Sequence, residues 1–199
     1  HRPYSYRVPV YRFPQRVEVL DRDGSLVHRL ADLPLQEEIP IAFGSVATGP
    51  RSFSWRADAP ATLLWAEAQD GGDARVEADV RDKLYLLEAP FSGQPRELLA
   101  LGYRYAGVTW GDDDLAMVSE QWWKTRQLRQ WLVRPGTPDA DPQLFVERST
   151  QDRYADPGFP DTRDNRFGRP VIRRSASGTS IFLIGSGASE EGDRPFVGR

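Results

Sequence analysis

Val108-Thr109-Trp110 runs into Gly111-Asp112-Asp113-Asp114 and returns as Leu115-Ala116-Met117-Val118-Ser119-Glu120. Two short apolar runs split by a glycine–aspartate cluster read as a hairpin, not a helix. The cause lies in the side chains. Branched and aromatic groups lose rotamer freedom against a helical turn but pack well on a pleated surface. The same hairpin stands earlier in the chain, where Phe53-Ser54-Trp55 leads through Asp58-Ala59-Pro60 to Thr62-Leu63-Leu64-Trp65-Ala66-Glu67. The anchoring tryptophans of the two copies, at 55 and 110, are 55 positions apart. A third copy follows a longer gap that falls in Ser149 to Arg169. It is Val171-Ile172-Arg173-Arg174, then Ser177-Gly178, then Thr179-Ser180-Ile181-Phe182-Leu183-Ile184.

A second type of hairpin alternates with the first. Arg16-Val17-Glu18-Val19-Leu20 turns at Asp21-Arg22-Asp23-Gly24 and returns as Leu26-Val27-His28-Arg29-Leu30. Asp-Gly between alternating runs is a strong hairpin signal. Lys83-Leu84-Tyr85-Leu86-Leu87 with Glu97-Leu98-Leu99, and Gln130-Trp131-Leu132-Val133 with Gln143-Leu144-Phe145-Val146, repeat it. Four strands per repeat, joined by tight turns, match a β-propeller blade. The period exceeds the roughly 40–45 residues of the WD type.

The sequence therefore predicts an all-β fold, a partial β-propeller of about three blades' worth of four-stranded antiparallel sheet. The blades divide as a half blade at about 14–32, blades at about 51–101 and 104–148, and a half blade at about 170–186. A ring needs about four to eight blades, so this one is not closed. Terminal blades of an open arc have an uncovered face. Apolar groups near Val19, Ile181 and Leu183 are expected there, and with them self-association or rearranged terminal strands.

Composition narrows the function. The chain has 199 residues, a formal net charge of −3, two His and no Cys. Hydrophobic residues make up 39% and charged residues 28%, which is globular rather than disordered. No run of eighteen apolar residues exists, so no membrane-spanning helix is expected and the chain reads as soluble. The acidic balance argues against nucleic acid as a partner. Without Cys there are no disulfides, thiolate zinc sites or cysteine nucleophiles. The compartment is not legible. A signal removed upstream of His1 would place the chain in a periplasm or an organelle.

No Ser has Gly at both flanking positions of G-x-S-x-G, the strained turn of a hydrolase nucleophile. His1 is terminal, and His28 lies within an alternating strand, so no Ser–His–acid triad is expected. Asp112-Asp113-Asp114 and Asp70-Gly71-Gly72-Asp73 lack calcium-loop spacing and read as turn-forming aspartates, with a metal as the competing reading. The paired Gly fit a tight turn or a loop approached closely by another chain. No dinucleotide or P-loop motif occurs, and no cofactor or metal is expected.

Trp55, Trp65, Trp110 and Trp131 read as core anchors. Trp122-Trp123-Lys124-Thr125-Arg126 differs, because two aromatics stand beside two cations where a strand enters a loop. One reading puts one Trp in the core and the other under the basic groups. The other is a peptide-facing loop in which Trp123, Lys124, Arg126 and Arg129 contact an acidic substrate. The stretch Ser149 to Arg169, with few aliphatics, reads as a docking loop or as disordered.

Several stretches also resemble one family. Arg51-Ser52-Phe53-Ser54-Trp55-Arg56-Ala57-Asp58 with Pro60, Trp65-Ala66-Glu67-Ala68-Gln69-Asp70-Gly71-Gly72-Asp73, and Arg81-Asp82 are similar to the propeller of glutamyl endopeptidase-like serine peptidases of the prolyl oligopeptidase family. Arg12-Phe13-Pro14, Asp32-Leu33-Pro34-Leu35, Ile39-Pro40-Ile41, Trp123-Lys124-Thr125-Arg126 and Tyr154-Ala155-Asp156-Pro157-Gly158 fit the same pattern, from about Pro3 to Ile184. The resemblance implies a propeller above a separate α/β-hydrolase domain, which carries the triad and cleaves after acidic residues. That hydrolase domain is missing from these residues. The segment is then expected to be non-catalytic and to shape peptide access in its parent. A free-standing interaction module without activity is the alternative.

Overall fold

The structure is a computed structural model, which describes residues 4–199. His1 lies outside the described residues. One 3-10 turn, Val10–Arg12, precedes a chain of strands. β1 (Gln15–Leu20) and β2 (Leu26–Leu33) form an antiparallel hairpin. Its turn forms because the Asp21 carboxylate accepts the N–H groups of Asp23 and Ser25 at 2.9 and 2.8 Å.

Two four-stranded sheets follow, each with its strands in chain order. The first comprises β3 (Pro50–Trp55), β4 (Thr62–Ala68), β5 (Asp82–Glu88) and β6 (Arg96–Leu101). The second comprises β7 (Arg104–Asp112), β8 (Leu115–Trp122), β9 (Gln127–Val133) and β10 (Gln143–Ser149). Their neighbouring strands pair antiparallel, as in the registers Leu64↔Leu86 and Val118↔Trp131.

The inner strands differ from β1 in sequence because they differ in burial. Thr62 to Ala66 and Leu115 to Val118 are continuous buried runs, covered on both faces. β1 alternates exposed with half-buried residues. Burying each Leu or Val fully contributes roughly 1.5–3 kcal/mol. One cluster gathers Leu63, Trp65, Leu87 and Phe91, with Val19, Leu30, Phe53 and Tyr85 against it. A second gathers Leu115, Met117 and Ile172, with Leu132, Phe145 and Ile181 against it. Val19, Ile181 and Leu183, expected on open faces, are each half-buried.

The rest of the chain forms small sheets. These are β11 (Phe159–Pro160), β12 (Thr162–Asp164), β13 (Pro170–Ile172), β14 (Leu183–Gly185), β15 (Ala188–Ser189), β16 (Gly192–Asp193) and β17 (Phe196–Gly198). β13 pairs with β12, β14 lies between β11 and β17, and β15 pairs with β16. The hairpin read at Val171–Arg174 and Thr179–Ile184 survives as one bridge, Arg174↔Ile181. The stretch 149–169 instead supplies two strands. Asn165 makes this possible: its side-chain oxygen accepts the N–H groups of Phe167 and Arg169 at 2.9 and 3.2 Å, closing the turn that pairs β12 with β13.

The fold is all-β, and among the described residues no sheet closes into a barrel or ring. The chain divides into two compact units. One is His1–Ser54 with Thr62–Tyr103, and the other is Trp55–Ala61 with Arg104–Arg199. Each unit is discontinuous in sequence.

Candidate functional site

The turn between β8 and β9 carries three of the four residues expected to meet an acidic substrate. Trp122 pairs with Gln127, which leaves residues 123–126 as the connection. The Arg126 N–H donates to the Trp123 carbonyl at 3.3 Å, and the Arg126 carbonyl accepts the Thr150 N–H at 2.7 Å. Arg126 has φ 60, a left-handed conformation that glycine usually fills. Its guanidinium centre lies 3.6 Å from the centre of the Trp123 ring. That stack offsets part of the backbone strain. Trp122 is buried, whereas Trp123 is 40% exposed. One tryptophan therefore anchors the sheet, and the other lies against a cation at the surface. Lys124 is exposed beside them.

Arg129 belongs to a different arrangement. It stands in β9 between Glu120 of β8 and Glu147 of β10, its register partners on either side. Its Nε donates to Glu147 Oε1 at 2.9 Å, and its Nη1 lies 3.9 Å from Glu120 Oε1. Glu120 is fully buried and also accepts the Trp131 indole N–H at 2.9 Å. Two carboxylates thus answer the charge of Arg129 within the sheet. The turn offers Lys124 and Arg126 as its outward cations.

The acidic motifs enter ion pairs and turns. Asp112 accepts the Asp114 N–H at 2.9 Å and meets Arg174 at 2.8 Å. Asp70 accepts the Gly72 N–H at 3.1 Å and meets Arg81 at 2.8 Å. Gly72 has φ +73, and a Cβ there would stand 2.2 Å from the Val46 carbonyl oxygen. The close approach at Gly72 is made by the Val46 backbone of the same chain, where the sequence expectation was another chain. Among the described residues, no three His, Cys, Asp or Glu side chains gather as a metal-binding group. His28 sits in β2 with its ring 6.0 Å from Phe91.

Sequence reading missed a buried cluster in the second unit. Arg56 is 2% exposed. It meets both oxygens of Asp58 and, at 3.0 Å, Asp113, while its guanidinium centre lies 5.1 Å from the Trp110 ring centre. Burial acts to lower the Arg56 pKa, but hydrogen bonds and charge from Asp58 and Asp113 outweigh it and hold it above the ordinary value. The Arg56 carbonyl accepts Arg169 Nη1 at 3.1 Å, and the Ala57 carbonyl accepts the Asn165 amide at 2.8 Å. The signal is present in Trp55-Arg56-Ala57-Asp58, where a carboxylate stands two positions from the cation.

Comparison with known proteins adds what geometry does not. Over 203 residues the chain is 48% identical to a protein of Arabidopsis thaliana named "Probable glutamyl endopeptidase, chloroplastic", covering 99% of this chain and 21% of that protein. A rice protein (Oryza sativa subsp. japonica) of the same name is 48% identical over 202 residues, covering 99% of this chain and 22% of its own. The chain spans about a fifth of the length of these curated relatives. No family model matches, and no solved structure matches. Among the described residues, no helix is long and apolar enough to cross a membrane, which says nothing of a β-barrel. The likeness to glutamyl endopeptidase that the motifs carried thus holds across nearly the whole chain, as a likeness to one segment of much longer proteins.

Proposed function

We propose that this chain is the non-catalytic propeller portion of a serine peptidase that cleaves after acidic residues. Its part is to shape and limit peptide access to a separate hydrolase domain. The observation that carries the reading is near-complete coverage of the chain, at 48% identity, by about a fifth of proteins named glutamyl endopeptidase. Two consecutive four-stranded meanders fit blades of such a propeller, and the sequence lacks G-x-S-x-G. The prolyl oligopeptidase family and an organellar location belong to the same proposal. The turn at Trp123, Lys124 and Arg126 is its peptide-facing candidate, and Arg129 stiffens the sheet beneath.

Two measurements test the reading. The coding sequence beyond Arg199 should contain G-x-S-x-G followed by Asp and His, and the longer product should cleave a Glu-X reporter peptide. The purified 199-residue chain should leave that reporter intact. A stop codon soon after Arg199 would favour a free-standing interaction module. Cleavage by the 199-residue chain alone, resistant to removal of contaminating peptidases, would overturn the non-catalytic assignment.

A further inference from the structure

Aspartate precedes glycine at 23–24 and at 70–71, and the fold treats the two pairs in opposite ways. With glycine after aspartate, no Cβ shields the following backbone nitrogen from the aspartate side chain. A five-membered ring can then close between that nitrogen and the carboxyl carbon. Asp70 is withdrawn from this chemistry. It is 7% exposed, its Oδ1 accepts the Gly72 N–H at 3.1 Å, and its Oδ2 accepts Arg81 Nη1 at 2.8 Å. Both oxygens are held, so the carboxyl cannot turn towards Gly71 until a charge-assisted pair breaks.

Asp23 is under no such restraint. It stands exposed in the turn between β1 and β2, and its carboxylate accepts no hydrogen bond and joins no ion pair among the described residues. The turn is held from Asp21 instead, whose carboxylate takes the N–H groups of Asp23 and Ser25. The Gly24 N–H donates to the Asp21 carbonyl at 3.2 Å, the long limit of such bonds. Gly24 has φ +83, and nothing stands within 4 Å of the place a Cβ would take. Little packing resists opening at this end of the hairpin. Leu20 and Leu26, the last pair before the turn, are 54% and 53% exposed, and the register shifts between Val19 and Leu20. Segments with few buried contacts open locally at small cost.

We propose that Asp23–Gly24 is a site of spontaneous covalent modification, at which the backbone passes through a succinimide to isoaspartate. The Asp23 carboxylate first takes a proton from solvent. The Gly24 nitrogen then attacks the carboxyl carbon, forming an N–Cγ bond, and the carboxyl O–H leaves with the Gly24 amide hydrogen as water. One water adds back to either ring carbonyl. Addition at Cγ breaks the N–Cγ bond and restores aspartate. Addition at the Asp23 backbone carbonyl breaks the original peptide bond and leaves the chain running through Cγ. The new carboxylic acid returns the proton, so mass and charge are unchanged. The added backbone carbon moves Gly24 out of reach of Asp21, in the hairpin whose Val19 and Leu30 pack against Leu63, Trp65, Leu87 and Phe91.

Ageing the folded 199-residue chain in neutral buffer tests the proposal, read by peptide mapping with fragmentation that separates aspartyl from isoaspartyl backbones. Isoaspartate should accumulate at 23 at least about tenfold faster than at 70, because Asp70 must first leave Arg81. In concentrated guanidinium chloride that restraint is lost, and the two rates should agree within about threefold. Asp23→Asn, which expels ammonia without prior protonation, should raise the rate at 23 by about tenfold or more. Asp23→Glu, whose longer side chain must close a larger ring, should lose the product at 23. Methyl transfer from S-adenosylmethionine by a purified isoaspartyl methyltransferase should follow the same order across the variants. Equal rates at 23 and 70 in the folded chain, a difference that persists in denaturant, or no isoaspartate at 23 would each overturn the proposal.

Discussion

Removing the Asp58 carboxylate should destabilise the second unit far more than removing that of Asp113. In Asp58→Ala, Arg56 stays buried at 2% exposure and loses the partner that meets it through both oxygens. Breaking a buried pair from one side costs about 3–5 kcal/mol. Asp113 remains at 3.0 Å, but its side chain is 76% exposed, so it recovers at most about 1 kcal/mol. The expected loss is therefore about 2–4 kcal/mol. For a chain of this size it corresponds to a fall of about 4–16 °C in thermal midpoint. Asp113→Ala should cost no more than about 1 kcal/mol. The double substitution Arg56→Met/Asp58→Leu, which removes both charges, should recover most of the loss. Thermal and urea unfolding followed by circular dichroism would measure all three. Equal effects at Asp58 and Asp113, or a double variant as unstable as Asp58→Ala, would refute the reasoning.

Other expectations follow from single contacts. At Gly136, an added Cβ would meet the Asp113 Cβ at 2.8 Å and carbonyl oxygen at 3.1 Å, so Gly136→Ala should cost about 1–3 kcal/mol in urea denaturation. Arg126→Ala keeps the left-handed strain and loses the stack on Trp123, whereas Arg126→Gly relieves the strain. The glycine variant should be the more stable by about 1 kcal/mol in the same assay. Above pH 10 stability should fall. Burial first, then Glu67, raises the Tyr85 pKa, and a hydrogen bond to Glu97 first raises that of Lys83. Each group holds its proton more tightly when folded, so its contribution is complete below the unfolded value of about 10 and is lost as pH rises through the folded one. Tyr85→Phe should flatten the Tyr85 part of that slope, read from thermal midpoints between about pH 9 and 11.

Strands with one simple cause were legible from sequence. Val108 to Glu120 and Phe53 to Glu67 announce hairpins because branched and aromatic runs flank turn formers, and both lie within the meanders β7–β8 and β3–β4. The end of the chain was harder. Val171 and Ile172 pair with β12 across the tight side-chain turn that Asn165 makes, while the expected turn at Ser177-Gly178 also forms but carries only the bridge Arg174↔Ile181. Composition shows Asn165, but not which of two nearby turns recruits β13. At the candidate turn, sequence reading offered one core Trp and one covered by a cation, and the structure assigns these places to Trp122 and Trp123. Sequence reading could not give the engagement of Arg129, because the two glutamates that answer it lie 9 and 18 positions away and come into register only once the sheet forms. Arg56 stood within a quoted motif, yet burial is what separates it from surface arginines, and burial is a tertiary property.

The second unit takes in Trp55–Ala61, a short stretch encoded well ahead of the rest of it. During synthesis Arg56 emerges roughly 57 residues before Asp113. At about 5–20 residues per second, it waits several seconds for that counter-charge and for the aromatic ring of Trp110. Asp58, two positions on, is available almost at once and can escort the cation through the interval. Cutting the gene at residue 103 would strand this escort and its charge on the wrong fragment, so the halves should recover their native order only when mixed.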